Sequence, residues 1–319
     1  MNSTRLDVGI HPNVPEAIYH SDPAVEISAS ASILRTLYNA SPEHAWNDHP
    51  RLNPAAQHGP STDAQATGTI LHAAILGTPA PYVALSFDSF RTDAAKKARD
   101  AVAETGLIPI LQHKLDEILP VGDALRARLQ REHPTIFAAI TDPETMREAT
   151  MIWRENGIIC RCRFDTLPPA RYKFTADLKF TGRSAEPEEW SKKLRTDYLF
   201  QSGLYPRAVK ALRGDTPEFR FVVCETDPPY GVSVHALGPE LIPIAERRVN
   251  VALAQWARCL QDNAWPGYPP LVHYAEAPGW LMTQDDDRAI RDSVVAKYKN
   301  AAGIAAADRF FAETGSPVR

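Results

Sequence analysis

The segment MREATMIWRENGIICRCRFDTL, residues 146–167, constrains the fold more than any other part of the sequence. Apolar and polar residues alternate on both sides of Asn156–Gly157, and this dipeptide is the strongest short-range signal for a tight β-hairpin. A period of two gives each strand one apolar face and one polar face. The segment therefore predicts an antiparallel pair of strands with one face in a core.

Further elements are predicted on both sides of this hairpin. Before it, the sequence indicates a short helix near Ser30, a helix from Thr62 to Leu76 closed by Gly77, and helical pieces from about Asp93 to Arg131, broken near Gly106–Pro109 and at Pro120. After it come a strand over Arg171–Phe180, a helix over Pro187–Arg213, strands FRFVVCE and YGVSVHAL, a helix over Pro239–Asn263 and a last helix to about Thr314.

This order of elements predicts an α/β fold with a central mixed β-sheet flanked by helices. Residues 1–26 are Pro-rich and are expected to be an irregular N-terminal segment. We see no internal repeat or long low-complexity tract, so residues 27–319 are expected to form a single domain.

Composition excludes few classes of protein. A chain of 319 residues with 44% hydrophobic residues can bury a large core, and no apolar run approaches the length of a membrane span. The first residues lack the basic-then-apolar layout of a secretion signal. The four cysteines show no metal-binding spacing and are expected to be reduced and mostly buried. We therefore expect a cytoplasmic protein without a membrane partner.

The net charge of −4 argues mildly against a protein covered with basic residues for nucleic-acid binding. It does not exclude a local basic channel, because phosphate contacts depend on where the charge lies.

Two strands place charged residues at one point of the predicted sheet. Arg161, Arg163 and Asp165 lie on the polar face of the second hairpin strand, and Asp177 and Lys179 share a face of the next strand. Burying two carboxylates and an ammonium is costly unless they are paired. A hard divalent cation such as Mg²⁺, which takes oxygen ligands, would offset that cost.

Each of these residues also has a simpler interpretation. An Asp-x-Lys triplet occurs by chance about once in a few hundred residues and commonly forms a surface salt bridge. Gln201 and Tyr205 share a helical face but could be a solvated residue and a half-buried ring. A lone histidine such as His72, in the apolar helix GTILHAAILG, is more often a hydrogen-bonded core residue. Glu148 could be an exposed strand carboxylate.

The order of these motifs resembles a known family. His72 in a helix of small residues, Glu148, GIICRCRFD ending at Asp165, Asp177-Leu178-Lys179 and QSGLY from Gln201 to Tyr205 resemble the RecB-like branch of the PD-(D/E)xK nuclease superfamily, and within it the RecE-type (exodeoxyribonuclease VIII) nuclease domain. The segments ISASASILRTLYNASPEHAW and WPGYPPLVHYAEAPGW extend the likeness from about Ile27 to Trp280.

The resemblance implies a role for each matching residue. Asp165 and Asp177 would bind Mg²⁺, with Mn²⁺ as an alternative, and the Leu178 carbonyl would add an oxygen. His72 would lie beside the metal as a ligand or neighbour, and Glu148 would be a further ligand. Lys179 would orient or help to deprotonate the attacking water and offset charge on the phosphate. Gln201 and Tyr205 would position either the scissile phosphate or the Lys179 side chain.

Several basic residues near this site are candidate phosphate contacts. A solvated helix face is the alternative for residues 192–195. Ser30 and Arg35 could bind a terminal phosphate at a helix start, although simple N-capping is the alternative there. The basic residues near the site that could contact phosphates are Arg161, Arg163, Arg183, Lys192, Lys193 and Arg195.

The resemblance implies a 5′-to-3′ exonuclease on linear double-stranded DNA that supplies single strands to a phage-type single-strand annealing protein during recombination. It also implies a homo-oligomeric ring, and the sequence contains no GxxxxGK[ST] motif for a built-in helicase. One alternative is a RecB- or Cas4-like nuclease of other polarity or single-strand preference, although the cysteines do not suit the iron–sulfur cluster of Cas4-like proteins. Another is a catalytically inactive DNA-binding relative.

Overall fold

The computed structural model describes residues 5–55, 62–297, 309–310 and 312–313. Residues up to Tyr268 form one compact unit, and those from Pro269 onward form another. The second unit contains the helix Gly279–Lys297, whose residues are mostly exposed. The predicted last helix to about Thr314 begins here, and most of its course beyond Lys297 lies outside the described residues.

The two strands of the predicted hairpin are the longest, with ten residues each. In chain order the strands are β1 (Gly9–His11), β2 (Ser28–Ala29), β3 (Tyr82–Leu85), β4 (Ile108–Leu111), β5 (Met146–Glu155), β6 (Ile158–Leu167), β7 (Phe174–Thr181), β8 (Glu218–Glu225) and β9 (Val232–His235).

Within the described residues, seven of these strands form a central mixed sheet in the order β1-β5-β6-β7-β8-β9, with β2 pairing beside β6. β7 and β8 are parallel, and the other neighbours along this path are antiparallel. β3 and β4 form a separate parallel pair. The mixed sheet predicted from the sequence is confirmed.

Helices cover both faces of this sheet. In chain order, the helices of the first unit are α1 (Glu16–His20), α2 (Ala31–Asn39), α3 (Pro42–Asp48), α4 (Asp63–Leu76), α5 (Asp93–Glu104), α6 (Gln112–Glu132), α7 (Pro134–Thr141), α8 (Pro187–Thr196), α9 (Leu199–Arg213) and α10 (Leu241–Asp262), and the second unit contains α11 (Gly279–Lys297). Among the described residues, no helix combines the length and the apolar character needed to cross a membrane.

The two faces of the sheet have separate apolar clusters. Val222 and Val223 are neighbours on β8 and point to opposite faces, because side chains alternate across a strand. Val223 packs with α2, α9 and α10 through residues such as Leu34 and Trp256. Val222 packs with α4, α6 and α7 through residues such as Leu125. Burying each of these large side chains contributes about 1.5–3 kcal/mol.

The hairpin forms as predicted. Asn156 and Gly157 both have positive φ, of 50° and 83°, as the two central residues of a type I′ turn require. The register pairs Glu155 with Ile158 and continues to Met146 opposite Leu167. The cysteines are free and buried, also as predicted.

The structure corrects three predicted elements. The helix predicted over 187–213 is two helices, α8 and α9, separated at Asp197 and Tyr198. The predicted break at Pro120 is absent, since this proline lies inside α6. The predicted interruption near Gly106–Pro109 contains strand β4, which pairs with β3.

The segment 1–26 is less irregular than expected. β1 pairs with β5, with Gly9 opposite Ile152 and His11 opposite Thr150, and α1 follows it. The pairing partner lies more than 130 residues away along the chain, so local sequence patterns do not reveal it. The expected single domain over 27–319 stays a prediction.

Candidate active site

Asp165 and Asp177 meet where β6 and β7 diverge. The two strands pair at Thr166 and Ala176, and the Thr166 hydroxyl donates to the Ala176 carbonyl at 2.6 Å. The next antiparallel position places Asp165 opposite Asp177, and Oδ2 of Asp165 accepts a hydrogen bond from the Leu178 amide at 2.7 Å. The structure therefore brings the two carboxylates together at one point, as the sequence predicts.

Burial and proximity change the ionisation of both carboxyl groups. Burial raises the pKa of Asp177 to about 6, and the Asp165 carboxylate adds to that rise. Burial also raises the pKa of Asp165, against the opposing effect of Lys179. Two carboxyl groups with raised pKa values in one place form a site where a bound cation would be strongly favoured.

Lys179 and Gln201 bind the two oxygens of Asp177. Lys179 Nζ lies 2.5 Å from Oδ2, and Gln201 Nε2 donates to Oδ1 at 2.6 Å. Burial lowers the pKa of Lys179, but the carboxylates of Asp177 and Asp165 outweigh burial and raise it above its usual value. Lys179 is therefore an ammonium at neutral pH.

His72 faces the same point from helix α4. The helix begins with a capping box between Thr62 and Gln65, and His72 Nδ1 lies 3.7 Å from Asp165 Oδ2. Among the described residues, this buried nitrogen has no hydrogen-bond partner. Burial lowers the pKa of His72 to about 4, so the ring is neutral at pH 7 and keeps a lone pair. It is therefore not the hydrogen-bonded core histidine of the simpler interpretation.

Glu148 lies beside Asp165 on the other side. The β5–β6 register runs through Arg147–Thr166 and Ala149–Phe164, which places Glu148 across from Asp165. Its φ of 53° is in the left-handed region, a conformation that costs energy for a residue with a side chain. Burial raises the pKa of Glu148 to about 7. Its carboxylate forms an ion pair with Arg163.

The structure also brings two residues to the site that sequence reasoning missed. The charge of Glu16, on helix α1, raises the pKa values of Asp165 and Glu148. Tyr198 lies beside Lys179, whose Nζ is 5.4 Å from the centre of the tyrosine ring. No local pattern reveals either residue, because one depends on the β1–β5 pairing and the other on the break between α8 and α9.

Tyr205 is placed differently from Gln201. Its ring is buried and packs against Phe164 and Phe219, with centroids 5.0 and 5.2 Å away. Among the described residues, its hydroxyl makes no hydrogen bond, and burial raises its pKa well above the usual value. These contacts are those of a core residue.

Arg161 is corrected from a phosphate contact to a structural residue. It is 3% exposed, its Nη1 lies 3.2 Å from Asp22 Oδ1, and it donates to the carbonyl and hydroxyl of Ser28. The polar face of β6 is covered here by the N-terminal segment, and the ring of Tyr19 lies against the guanidinium.

The remaining candidate phosphate contacts lie on the surface. Arg183 and Arg195 are exposed, Lys192 pairs with Glu189, and Lys193 Nζ lies 4.3 Å from the centre of the Trp190 ring.

At the start of α2, Ser30 has the simple N-capping role that was the alternative to phosphate binding. Ser30 accepts a hydrogen bond from the Ile33 amide, as an N-cap does, and it is 4% exposed. Arg35 donates to the Asp197 carbonyl at 3.2 Å.

The residues of this site fit a hard divalent cation. Over the described part of the chain, no three His, Cys, Asp or Glu side chains are grouped closely enough to coordinate one ion. Mg²⁺ needs fewer protein ligands, since it commonly binds one or two carboxylates and keeps several waters. Asp165 and Asp177 provide such a pair of carboxylates, and the unpaired Nδ1 of His72 lies beside Asp165.

Comparison with known proteins supports the fold. The crystal structure of a protein from Eubacterium rectale, described as a "putative exonuclease", is similar, with a TM-score of 0.54 over 86% of this chain and 98% of that chain. Only 14% of the residues are identical, so this likeness concerns the fold. No curated protein matches the sequence.

The sequence profile of one family matches residues 38–278, most of the chain and the whole stretch from His72 to Tyr205. The chain belongs to this family, described as "PDDEXK-like domain of unknown function (DUF3799)".

Proposed function

We propose that this chain is a metal-dependent deoxyribonuclease that degrades linear double-stranded DNA from its ends. The observation that carries the proposal is the convergence of Asp165, Asp177, Lys179 and Gln201 where β6 and β7 diverge. Burying the three ionisable groups, Asp165, Asp177 and Lys179, is costly for stability. A phosphodiester hydrolase is a function that uses all four groups together.

The acidic residues of the site would hold the ion. Asp165 and Asp177 would bind Mg²⁺ or Mn²⁺, with the Leu178 carbonyl as a further oxygen. His72 would lie beside the ion as a ligand or neighbour, and Glu148 would be a further ligand. The bound ion would act as a Lewis acid on the phosphate and generate a nucleophilic water at neutral pH.

Lys179 would act through its charge. Because the neighbouring carboxylates raise its pKa, it is a poor base at neutral pH and a good donor to a phosphate oxygen. Gln201 would fix the rotamer of Asp177 through their hydrogen bond, so that one oxygen of that carboxylate stays directed into the site.

The finer features of this activity rest on the likeness of the motif order to RecE-type domains. They are 5′-to-3′ polarity, a homo-oligomeric ring, a cytoplasmic location and transfer of single strands to an annealing protein in phage-type recombination. The similar fold of the Eubacterium rectale protein, with its description, supports an exonuclease over other nucleases. A Cas4-like protein is disfavoured because, among the described residues, no three cysteines are grouped closely enough to hold an iron–sulfur cluster.

The test is digestion of a linear duplex that carries a 5′ phosphate and is labelled at one 5′ end. Wild-type protein and Asp177→Ala are compared with Mg²⁺, with Mn²⁺ and with EDTA, and closed circular DNA serves as the control substrate. We expect degradation by the wild type with metal only, and no degradation of circles.

Early release of the 5′ label would establish the polarity. Digestion of a single-stranded substrate alone would favour the RecB- or Cas4-like alternative. An intact duplex under all metals, from folded protein that still binds DNA, would leave the inactive DNA-binding relative as the better description.

A further inference from the structure

Lys179 lies between a carboxylate and two aromatic rings. Its Nζ pairs with Asp177 and is 5.4 Å from the ring centre of Tyr198 and 5.9 Å from that of Phe221. A lysine has four rotatable bonds, and this side chain is 25% exposed. Its ammonium therefore needs a second contact to keep one position whenever Asp177 turns toward another cation.

The ring of Tyr198 is itself firmly held. It stacks on Trp190 with a centroid distance of 5.8 Å and an angle of 15°, and it contacts Phe221 at 5.1 Å. Trp190 is 2% exposed and its indole N–H donates to the Ser184 carbonyl. Two packed aromatic residues thus fix the face that Tyr198 turns toward Lys179.

The break between α8 and α9 serves this placement. Asp197 ends α8 and Tyr198 precedes the first residue of α9, so neither continues a helix. The Asp197 carbonyl accepts a hydrogen bond from Arg35 of α2, which fixes the connection. A continuous helix over 187–213 would turn residue 198 to a different side.

We propose that the ring of Tyr198 is a positioning element that holds the Lys179 ammonium toward the candidate catalytic carboxylates by a cation–π contact. This inference rests on the proposed function and adds a residue to it. Ammonium groups are attracted to the negative face of an aromatic ring, most strongly where water is excluded. The role belongs to the ring, because the Tyr198 hydroxyl makes no hydrogen bond within the described part of the chain.

The first test compares Tyr198→Phe with Tyr198→Leu in single-turnover cleavage of linear duplex. Tyr198→Phe keeps the ring and is expected to cleave within about two-fold of the wild-type rate. Tyr198→Leu loses the ring face and is expected to cleave about ten-fold more slowly at saturating DNA, with KM little changed.

The matched control is Tyr38→Leu. Tyr38 is also partly exposed, packs on Phe200 and has Arg248 at 5.6 Å from its ring centre. The substitution removes comparable aromatic contacts away from Lys179. It is expected to leave the cleavage rate unchanged.

A fluorinated series at position 198 keeps the test decisive if the leucine variant does not fold. Mono-, di- and trifluorinated phenylalanine preserve the shape of the ring and progressively weaken its negative face. We expect the cleavage rate to fall stepwise with each fluorine. A flat series, or equal losses in Tyr198→Phe and Tyr198→Leu, would overturn the proposal.

A readout independent of catalysis separates this inference from the proposed function. Trace acetylation of lysines, followed by mass spectrometry, measures how freely Lys179 reacts relative to the exposed Lys97. Tyr198→Leu is expected to raise the relative rate at Lys179, and Tyr38→Leu is not. If Tyr198→Leu speeds acetylation of Lys179 but the wild type cleaves no DNA, the nuclease function is refuted and the cation–π contact stands. Unchanged labelling would refute the contact.

Discussion

Gln201 donates a hydrogen bond through Nε2 to Oδ1 of Asp177 at 2.6 Å. The donor comes from helix α9 and the acceptor from strand β7, so one side chain joins a helix to the candidate active site. The other oxygen of the same carboxylate is paired with Lys179. Asp177 is thus held from two directions before any cation binds.

We predict that Gln201→Leu lowers the rate of duplex cleavage by about ten- to hundred-fold, because a hydrogen bond to a charged group contributes about 1.5–3 kcal/mol. Gln201→Glu is expected to lower it further, since it places a second negative charge against Asp177. Single-turnover rates with Mg²⁺ measure both effects, and circular dichroism checks the fold. Wild-type rates in Gln201→Leu would contradict this role.

Metal binding should depend on pH. Burial raises the pKa of Asp177 to about 6 and that of Glu148 to about 7, so a cation competes with protons for both groups. A carboxyl group with a raised pKa in the folded state favours the metal-free fold at low pH, and this contribution is lost as pH rises through 6 to 7. Above that pH, a cation bound to the ionised carboxylates stabilises the fold instead.

We therefore expect saturating Mn²⁺ to raise Tm more at about pH 8 than at about pH 5. Differential scanning fluorimetry measures the shift at both pH values. Asp177→Asn is the control and should show little Mn²⁺ effect at either pH. An equal shift at the two pH values in the wild type would exclude this proton–metal competition.

The elements with strong local signals could be predicted from the sequence. Asn156–Gly157 forms the hairpin turn because both residues accept positive φ. The period-two alternation correctly placed Asp177 and Lys179 on one face of β7, where their side chains now pair. Gly77 ends helix α4 in the left-handed conformation that glycine adopts readily.

The predictions that were wrong concern features that depend on distant parts of the chain. The helix break at Tyr198 contains neither glycine nor proline, and it is stabilised by the stacking of this ring on Trp190. The polar face of β6 was expected to meet solvent or DNA, yet Asp22 and Ser28 cover Arg161. A single sequence gives the period of a strand but does not show which segment covers each face.

Arg161 and Arg163 should differ sharply in their effect on stability. Arg161→Met removes the buried ion pair with Asp22, which keeps Arg51, and two hydrogen bonds to Ser28, so it is expected to lower the free energy of unfolding by about 3 kcal/mol. Arg163 is 20% exposed, and Arg163→Met is expected to cost about 1 kcal/mol. Urea unfolding followed by tryptophan fluorescence measures both. Similar midpoints for the two variants would show that Asp22 does not depend on Arg161.

Arg163 also sets the charge balance around Glu148. Its guanidinium pairs with the Glu148 carboxylate and opposes the burial that raises the pKa values of Glu148 and Asp165. A positive charge in this position competes electrostatically with an incoming divalent cation. Without it, Glu148 would have no ion-pair partner among the described residues and could turn toward the metal.

We predict that Arg163→Gln binds Mn²⁺ more tightly in the absence of DNA, by roughly ten-fold, because the competing charge is removed. The same variant is expected to bind duplex DNA more weakly, since a positive charge available to phosphates is lost. Isothermal titration calorimetry measures the Mn²⁺ affinity. Arg183 is exposed, and Arg183→Gln is the matched control that should leave this affinity unchanged. Weaker Mn²⁺ binding by Arg163→Gln would instead show that Arg163 supports the position of Glu148, and that the ion pair assists the metal site.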